Sequence, residues 1–329
     1  MATYMNIISC NTANSNTGIP QCSFDFGLIE KVILVPKGTK FTQTEIQTLY
    51  TKLAGMCLGS AYAYPYTSAG SEASRAYPIG KFIGIEDKSS ETTINTTNYG
   101  SVTLGKKGQL HYVFEYKNGG MNYDVMLNTF ENAQGAYDCL LLDKAQNAVI
   151  GTTPDQNTLG YVLQGLALDL IYCPMFKMAN GTESTRHYFG LVFSDSNELL
   201  RSMAYYELPS TQKVSSLVGL RNLELSLHTA ISTGVAKYRI TTDGGAVDLY
   251  DTYGSALATL AANWTATNNT AGTTPTLAIA ATAATKTLNI TYSVNVPTTG
   301  QEVTLNTPAI SQMTATVPGF GQASFTHIV

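Results

Sequence analysis

Short apolar runs closed by turn-forming residues recur along the first two-thirds of this chain. They favour β-structure over every other class. VILV at 32–35 ends in Pro36-Lys37-Gly38, CLLL at 139–142 and AVI at 148–150 flank Asp143-Lys-Ala-Gln-Asn147, and YFGLVF at 188–193 follows Asn180-Gly181. Runs this short, rich in branched and aromatic residues and bounded by Gly, Pro and Asn, read as strands. Between them, Gln109-Leu-His-Tyr-Val-Phe-Glu-Tyr116 places Leu110, Tyr112, Phe114 and Tyr116 in alternation, as a strand with one buried face would. The apolar run 161–173 reads as a central strand. Further strands are expected near 82–85, 92–97, 102–104, 199–208 and 217–227.

Two stretches break the period of two. Thr42-Gln-Thr-Glu45 has the form of a capping box, and Ile46, Leu49, Tyr50 and Leu53 follow at helical spacing, so a short helix ending near Gly55 is expected. Met126, Phe130, Ala133 and Tyr137 predict a second helical face within 122–138. The segment 55–80, GMCLGSAYAYPYTSAGSEASRAYPIG, has little periodicity and reads as a long contact loop. Its Tyr62, Tyr64, Tyr66 and Tyr77 are the candidate subunit-contact residues, because tyrosine joins apolar area to a hydroxyl and loses little entropy on ordering. The alternative is a loop that packs its own tyrosines.

Near residue 230 the composition shifts. After Asp251 only Lys286 and Glu302 are charged, and short Thr/Ala/Val/Leu runs alternate with turns. About seven short strands fit there, as in a small β-sandwich. Two domains are therefore expected, 1–230 with an extended arm over 1–26, and 231–329. The boundary falls between 228 and 236.

Charged residues make up 13 % of the 329 and hydrophobic ones 44 %, so charge is about half as frequent as in ordinary soluble chains. The surface must be Thr, Asn, Ser, Gly and Tyr, which other proteins cover with little charge desolvation. A net charge of -4 argues against binding nucleic acid through a basic face. The five cysteines, at 10, 22, 57, 139 and 173, form no CxxC pair and read as reduced thiols, several of them buried. No basic-then-apolar leader opens the chain, and no apolar run reaches the roughly 18 residues of a membrane span; synthesis in the cytosol, or export by a route the sequence does not show, is expected, with no membrane partner.

Chemistry-bearing motifs are scarce. His111, His187, His228 and His327 lack metal-ligand spacing and read as structural histidines. Glu86-Asp87 and Asp195/Glu198 are read as turn residues, Asp243-Gly-Gly245 lacks the further ligands of a calcium loop, and Gly319-Phe-Gly321 opens no helix. No enzyme activity and no cofactor are expected.

KFIGIEDKSSETTINTTNYGSV, QLHYVFEYKNGGMNYDVMLN, CLLLDKAQNAVIGTT with Gly160, and HYFGLVFSDSNELLRSMAYYE, all within 81–230, resemble the tail tube (major tail) proteins of long-tailed bacteriophages. Residues 231–329 resemble the Ig-like domain that some of those proteins carry on the outside. The resemblance implies a mainly β fold, a tail-tube-like β-sandwich or rolled sheet with one or two short helices, followed by an Ig-like sandwich. It also implies six copies per ring, rings stacked into a hollow tube among other tail proteins in the virion, and assembly in the host cytoplasm. DNA would pass through such a tube without specific binding. Other virion parts, such as a capsid decoration or head protein, and a cell-surface glycan-binding adhesin are the competing readings.

Overall fold

The computed structural model describes residues 27–58, 75–96, 100–104, 107–116, 120–133, 135–153, 162–182, 184–195, 203–232, 234–242, 245–313, 316–317 and 319–329. The protein is mainly β, with antiparallel sheets throughout. Among the described residues (Leu58 excepted), contacts divide the chain into one unit ending at Val218 and a second beginning at Gly219. The compositional shift near 230 is therefore not the boundary. It falls at the turn between strands Glu224–Ser232 and Val235–Thr242, which pair with each other inside the second unit.

In the first unit, strand Ile29–Pro36 lies between Tyr77–Gly80 and Tyr137–Asp143, and Ala148–Thr152 and Met203–Glu207 extend the sheet. Strands Leu166–Tyr172, His187–Phe193, His111–Tyr116 and Phe82–Asp87 continue in that order, the last lying at the edge. Leu166–Tyr172 joins the two parts. Its first residues pair with Tyr137–Asp143, its later ones with His187–Phe193, and the register shifts between Leu168 and Leu170. Such a shift bends a strand and lets one sheet fold over itself. The enclosed core holds Val32, Leu34, Leu141, Ile150, Leu168, Ile171, Phe114, Phe189 and Leu191.

The strands of the first part are apolar on both faces. Val32 and Leu34 point into that core, whereas Ile33, Val35, Leu140 and Leu142 are fully buried at the alternate positions. Helices Gln43–Ile46 and Leu49–Cys57 contribute buried Ile46, Leu49, Leu53, Met56 and Cys57. Lys31 shares the alternate positions, and its ammonium and the Cys57 thiol influence each other, which places the helix end on that side. The helix start follows the sequence: the Thr42 N–H donates to Glu45 Oε2 at 2.9 Å, and Lys52 pairs with Glu45.

The second helix is shorter than its spacing predicts. It spans Gly120–Asn128, and a 3-10 turn follows at Glu131–Ala133. Leu127 and Phe130 are buried, Met126 is exposed, and Tyr137 begins a strand. The Thr129 hydroxyl donates to the Met126 carbonyl at 2.6 Å, a local bond that competes with helix continuation.

The second unit is a sandwich of a five-stranded and a three-stranded sheet. Strands Glu224–Ser232, Val235–Thr242, Thr287–Val294 and Thr276–Thr282 pair in that order, with the short Val247–Asp248 pairing on Val235–Thr242, and Thr265–Asn268, Glu302–Asn306 and Ser324–Ile328 form the other sheet. Taken as strands A to G in chain order, they pair as ABED and CFG, the strand order of immunoglobulin constant-type sandwiches. Helix Tyr250–Thr259 occupies the B-to-C connection. Ala236, Tyr238, Ile240, Leu288, Ile290, Val303, Leu305 and Trp264 fill one core.

Candidate functional site

A group of ionisable side chains in the first unit joins helix Gly120–Asn128 to the sheet. Tyr116 and His187 are opposite each other on paired strands, with their rings stacked at 5.5 Å. Asp124, from helix Gly120–Asn128, accepts the Tyr116 hydroxyl at 2.5 Å and contacts His187 Nδ1 at 2.6 Å through its other oxygen. Burial, then the bond to Asp124, raises the Tyr116 pKa far above its ordinary value. Cys173 lies nearby, and its N–H donates to Glu131 Oε1 at 2.6 Å. Burial pushes the Cys173 thiol up to about 12, with Glu131 and Asp124 adding to the shift. A thiol so raised is a poor nucleophile. The group acts as a polar tie between helix and sheet, in which both Asp124 oxygens are engaged.

A second tie is Lys31. It is buried, and its Nζ donates to the carbonyls of Ser215 and Leu217, both at 2.6 Å. Burial lowers its pKa and Glu30 opposes that shift. Asn147 holds the same segment from the hairpin turn, donating to Leu208 and Gln212 and accepting the Val214 N–H at 3.0 Å. In the second unit, Tyr238 on strand B bonds the Tyr292 hydroxyl on strand E at 2.9 Å and His327 Nε2 on strand G at 3.2 Å. The Tyr292 bond lies within one sheet, and the His327 contact spans the two.

The structure distributes the sequence candidates unevenly. Tyr62, Tyr64 and Tyr66 lie outside the described residues. Tyr77 is not in a loop: it sits on strand Tyr77–Gly80, half-buried, edge-on to Phe130 at 5.0 Å and to Tyr137 at 5.8 Å. It packs, partly buried, against the core. Helix Leu49–Cys57 and strand Tyr77–Gly80 also shorten the expected loop at both ends. Each histidine has a partner, His111 with Tyr172 at 2.5 Å and His228 with Thr229 at 3.0 Å completing the set. Glu86 faces Lys88, and the Asp87 carboxyl, held low by its bonds to Ser89, closes a turn. Glu198 and Asp243 lie outside the described residues. Cys57 and Cys139 are buried thiols, and Cys173 is a partly buried one. Among the described residues no three His, Cys, Asp or Glu side chains are grouped to hold a metal ion, and no helix is long and apolar enough to cross a membrane.

The feature that sequence reasoning passed over is a sheet face. On the four strands from Leu166–Tyr172 to Phe82–Asp87, the residues turned away from the core include Leu170, Tyr172, Tyr188, Val192, His111 and Val113. Leu170, Tyr172, Tyr188 and Val192 are only half-buried. The Tyr172 ring lies flat across Gly190, where a Cβ would meet its Cε1 at 2.2 Å, so this glycine lets the ring lie on the face. Glu115 and Arg186 on the same sheet pair with each other at 3.2 Å. The face is thus largely apolar and aromatic, and it also carries the Glu115–Arg186 and Glu86–Lys88 pairs. The signal was present in the uninterrupted run YFGLVF, since strands covered on both sides lose alternation.

No family model, no curated protein and no solved structure matches this chain.

Proposed function

We propose that this protein is a structural virion subunit that assembles with copies of itself, six to a ring, the rings stacking into a hollow tail tube through which DNA passes. The observation that carries the reading is the half-covered outer face of Leu170, Tyr172, Tyr188 and Val192, on strands whose composition is that of strands buried on both sides. Such a face is completed by another protein surface. The scarcity of charge fits the same end, because most of the exterior sheds water with little electrostatic penalty. A mildly acidic chain suits a lumen along which phosphates slide without adhering. The reading assigns no catalytic step and no cofactor. The Ig-like unit belongs to the exterior in this reading. Electron microscopy of the purified full-length chain tests it: hollow filaments or stacked rings support the tube, whereas single particles at high concentration overturn it.

A further inference from the structure

The chain between strands Leu166–Tyr172 and His187–Phe193 makes one backbone pair outside them. The Lys177 N–H donates to the Arg186 carbonyl at 2.8 Å, and the Arg186 N–H donates back to Lys177 at 3.0 Å. Between these residues the chain passes Asn180-Gly181-Thr182, all three exposed to water. Asn180 Oδ1 accepts both the Thr182 N–H and the Thr182 hydroxyl, each at 3.0 Å.

An asparagine oxygen bonded two residues ahead draws its carboxamide over the peptide in between, as in an Asx turn. Here the nitrogen of that peptide belongs to Gly181. A Cβ built on Gly181 would meet nothing within 4 Å, so the peptide is open on that side as well. Donors that hold a carbonyl oxygen also stabilise the negative charge that grows on it when its carbon is attacked. The sequence holds one other Asn-Gly pair, Asn118-Gly119, which lies outside the described residues. Every remaining asparagine precedes a residue with a β-carbon, which crowds the nitrogen that follows it.

The geometry points to Asn180 as a site of self-modification, at which the chain removes its own side-chain amide. The Gly181 N–H gives its proton to water, and the nitrogen forms a bond to Asn180 Cγ. The charge on Oδ1 is held by the Thr182 N–H and hydroxyl. The Cγ–Nδ2 bond then breaks, Nδ2 takes a proton from water, and ammonia leaves behind a succinimide. Water opens that ring at either carbonyl, giving aspartate or isoaspartate. Nothing is oxidised or reduced. One added carboxylate moves the net charge from -4 to -5, in a chain of which only 13 % is charged. The isoaspartate form also lengthens the main chain within the turn by one carbon. The site is independent of the assembly reading.

The test incubates the folded full-length protein in mildly alkaline buffer and follows Asn180 by peptide mass mapping. Isoaspartate is counted with a protein isoaspartate methyltransferase. Asn180 should acquire the mass of the acid, with isoaspartate in the same peptide. Thr182→Ala should slow the conversion about fivefold, the size expected for one solvent-exposed hydrogen bond, and Thr182→Ser should restore it. Gly181→Ala should nearly abolish it. Asn118 supplies the internal reference, since its rate should be the same in all four proteins. These exposed substitutions should leave thermal unfolding unchanged. If Asn180 stays intact in the folded protein while it converts in urea, the proposal is wrong. Equal rates for Thr182→Ala and wild type overturn it too, because the turn would then contribute nothing.

Discussion

The two units solve the same problem of burying strands in opposite ways. In the Ig-like unit the strands alternate. Ala236, Tyr238 and Ile240 point inward and are buried, whereas Lys237, Arg239 and Thr241 point out. On the three-stranded sheet, Thr267, Thr304 and Thr326 form a row across the outer face, with Thr304 and Thr326 bonded at 2.8 Å. That sandwich is complete by itself. The first unit uses apolar runs instead. One part of its sheet receives a second cover from its own helices and the 213–217 segment, and the other part keeps an aromatic face half-open. Alternation marks a self-sufficient sheet, and an unbroken run marks a sheet that needs a second layer, supplied in cis or in trans.

The largest effect is expected where the cover is supplied in cis. Leu140 is fully buried on the helix side of Tyr137–Asp143. Leu140→Ala should lower the unfolding free energy by about 3 kcal/mol, within the range for buried leucines, read from urea denaturation followed by far-UV circular dichroism. A loss below about 1 kcal/mol would mean that this side is loosely packed, and would blur the distinction between the two parts of the sheet.

Lys31→Met should have the next largest effect. It keeps the aliphatic stem and leaves the Ser215 and Leu217 carbonyls without their donor. A loss of about 2 kcal/mol is expected, because buried acceptors stripped of a partner retain their desolvation penalty. A neutral or stabilising result would show that the covering segment is held by packing alone.

A matched pair of outward substitutions addresses the contrast directly. Val192 and Thr291 each point away from a core, in the first and second units respectively. Neither Val192→Asp nor Thr291→Asp should change subunit stability by more than about 1 kcal/mol. Sedimentation should nevertheless separate them: Val192→Asp suppresses assembly and Thr291→Asp leaves it intact. Equal behaviour of the two variants would remove the difference between the half-open and the complete sheet.

What could be read from the sequence follows how local each cause is. The capping box at Thr42–Glu45 acts over four residues, and the alternation of Tyr112, Phe114 and Tyr116 needs only one buried face; both were legible. The Ig-like sandwich was legible as well, because seven short alternating strands have few ways to close. Its start was misplaced, since charge composition changes at the turn within the Glu224–Thr242 hairpin and not between the units. The nine-residue helix was too short to fix its phase, so Met126 was chosen where Leu127 is the buried residue. Tyr77 was grouped with the loop tyrosines by composition, although it lies on a strand and pairs with Leu34. The Asp124 and His187 tie could not be found this way, because 63 residues separate its members and no motif marks them. The open face was visible only as missing alternation, a sign that requires the opposite face to be known before it can be interpreted.

The smallest effect concerns the polar pin of the complete sandwich. His327 is half-buried and stacked on Phe325 at 5.4 Å. Its Nε2 contacts the Tyr238 hydroxyl and its Nδ1 is buried without a partner. Burial therefore holds its pKa below the ordinary histidine value. Because the folded value lies below the unfolded one, the unfolded chain binds the proton more readily between them. The stability from neutral His327 is complete above the unfolded value, near 6.5, and is lost as pH falls below it toward the folded value. Trp264, the chain's only tryptophan, is buried in the same core, so its fluorescence follows this unit. The urea midpoint of that signal should fall on acidification from pH 7.5 to 5.5, and His327→Phe should flatten the dependence. Carboxylates elsewhere in the unit, Glu224 and Glu302 among them, are shared by both proteins. A slope unchanged by His327→Phe would assign the acid sensitivity to those groups and leave the sandwich without a histidine-dependent pin.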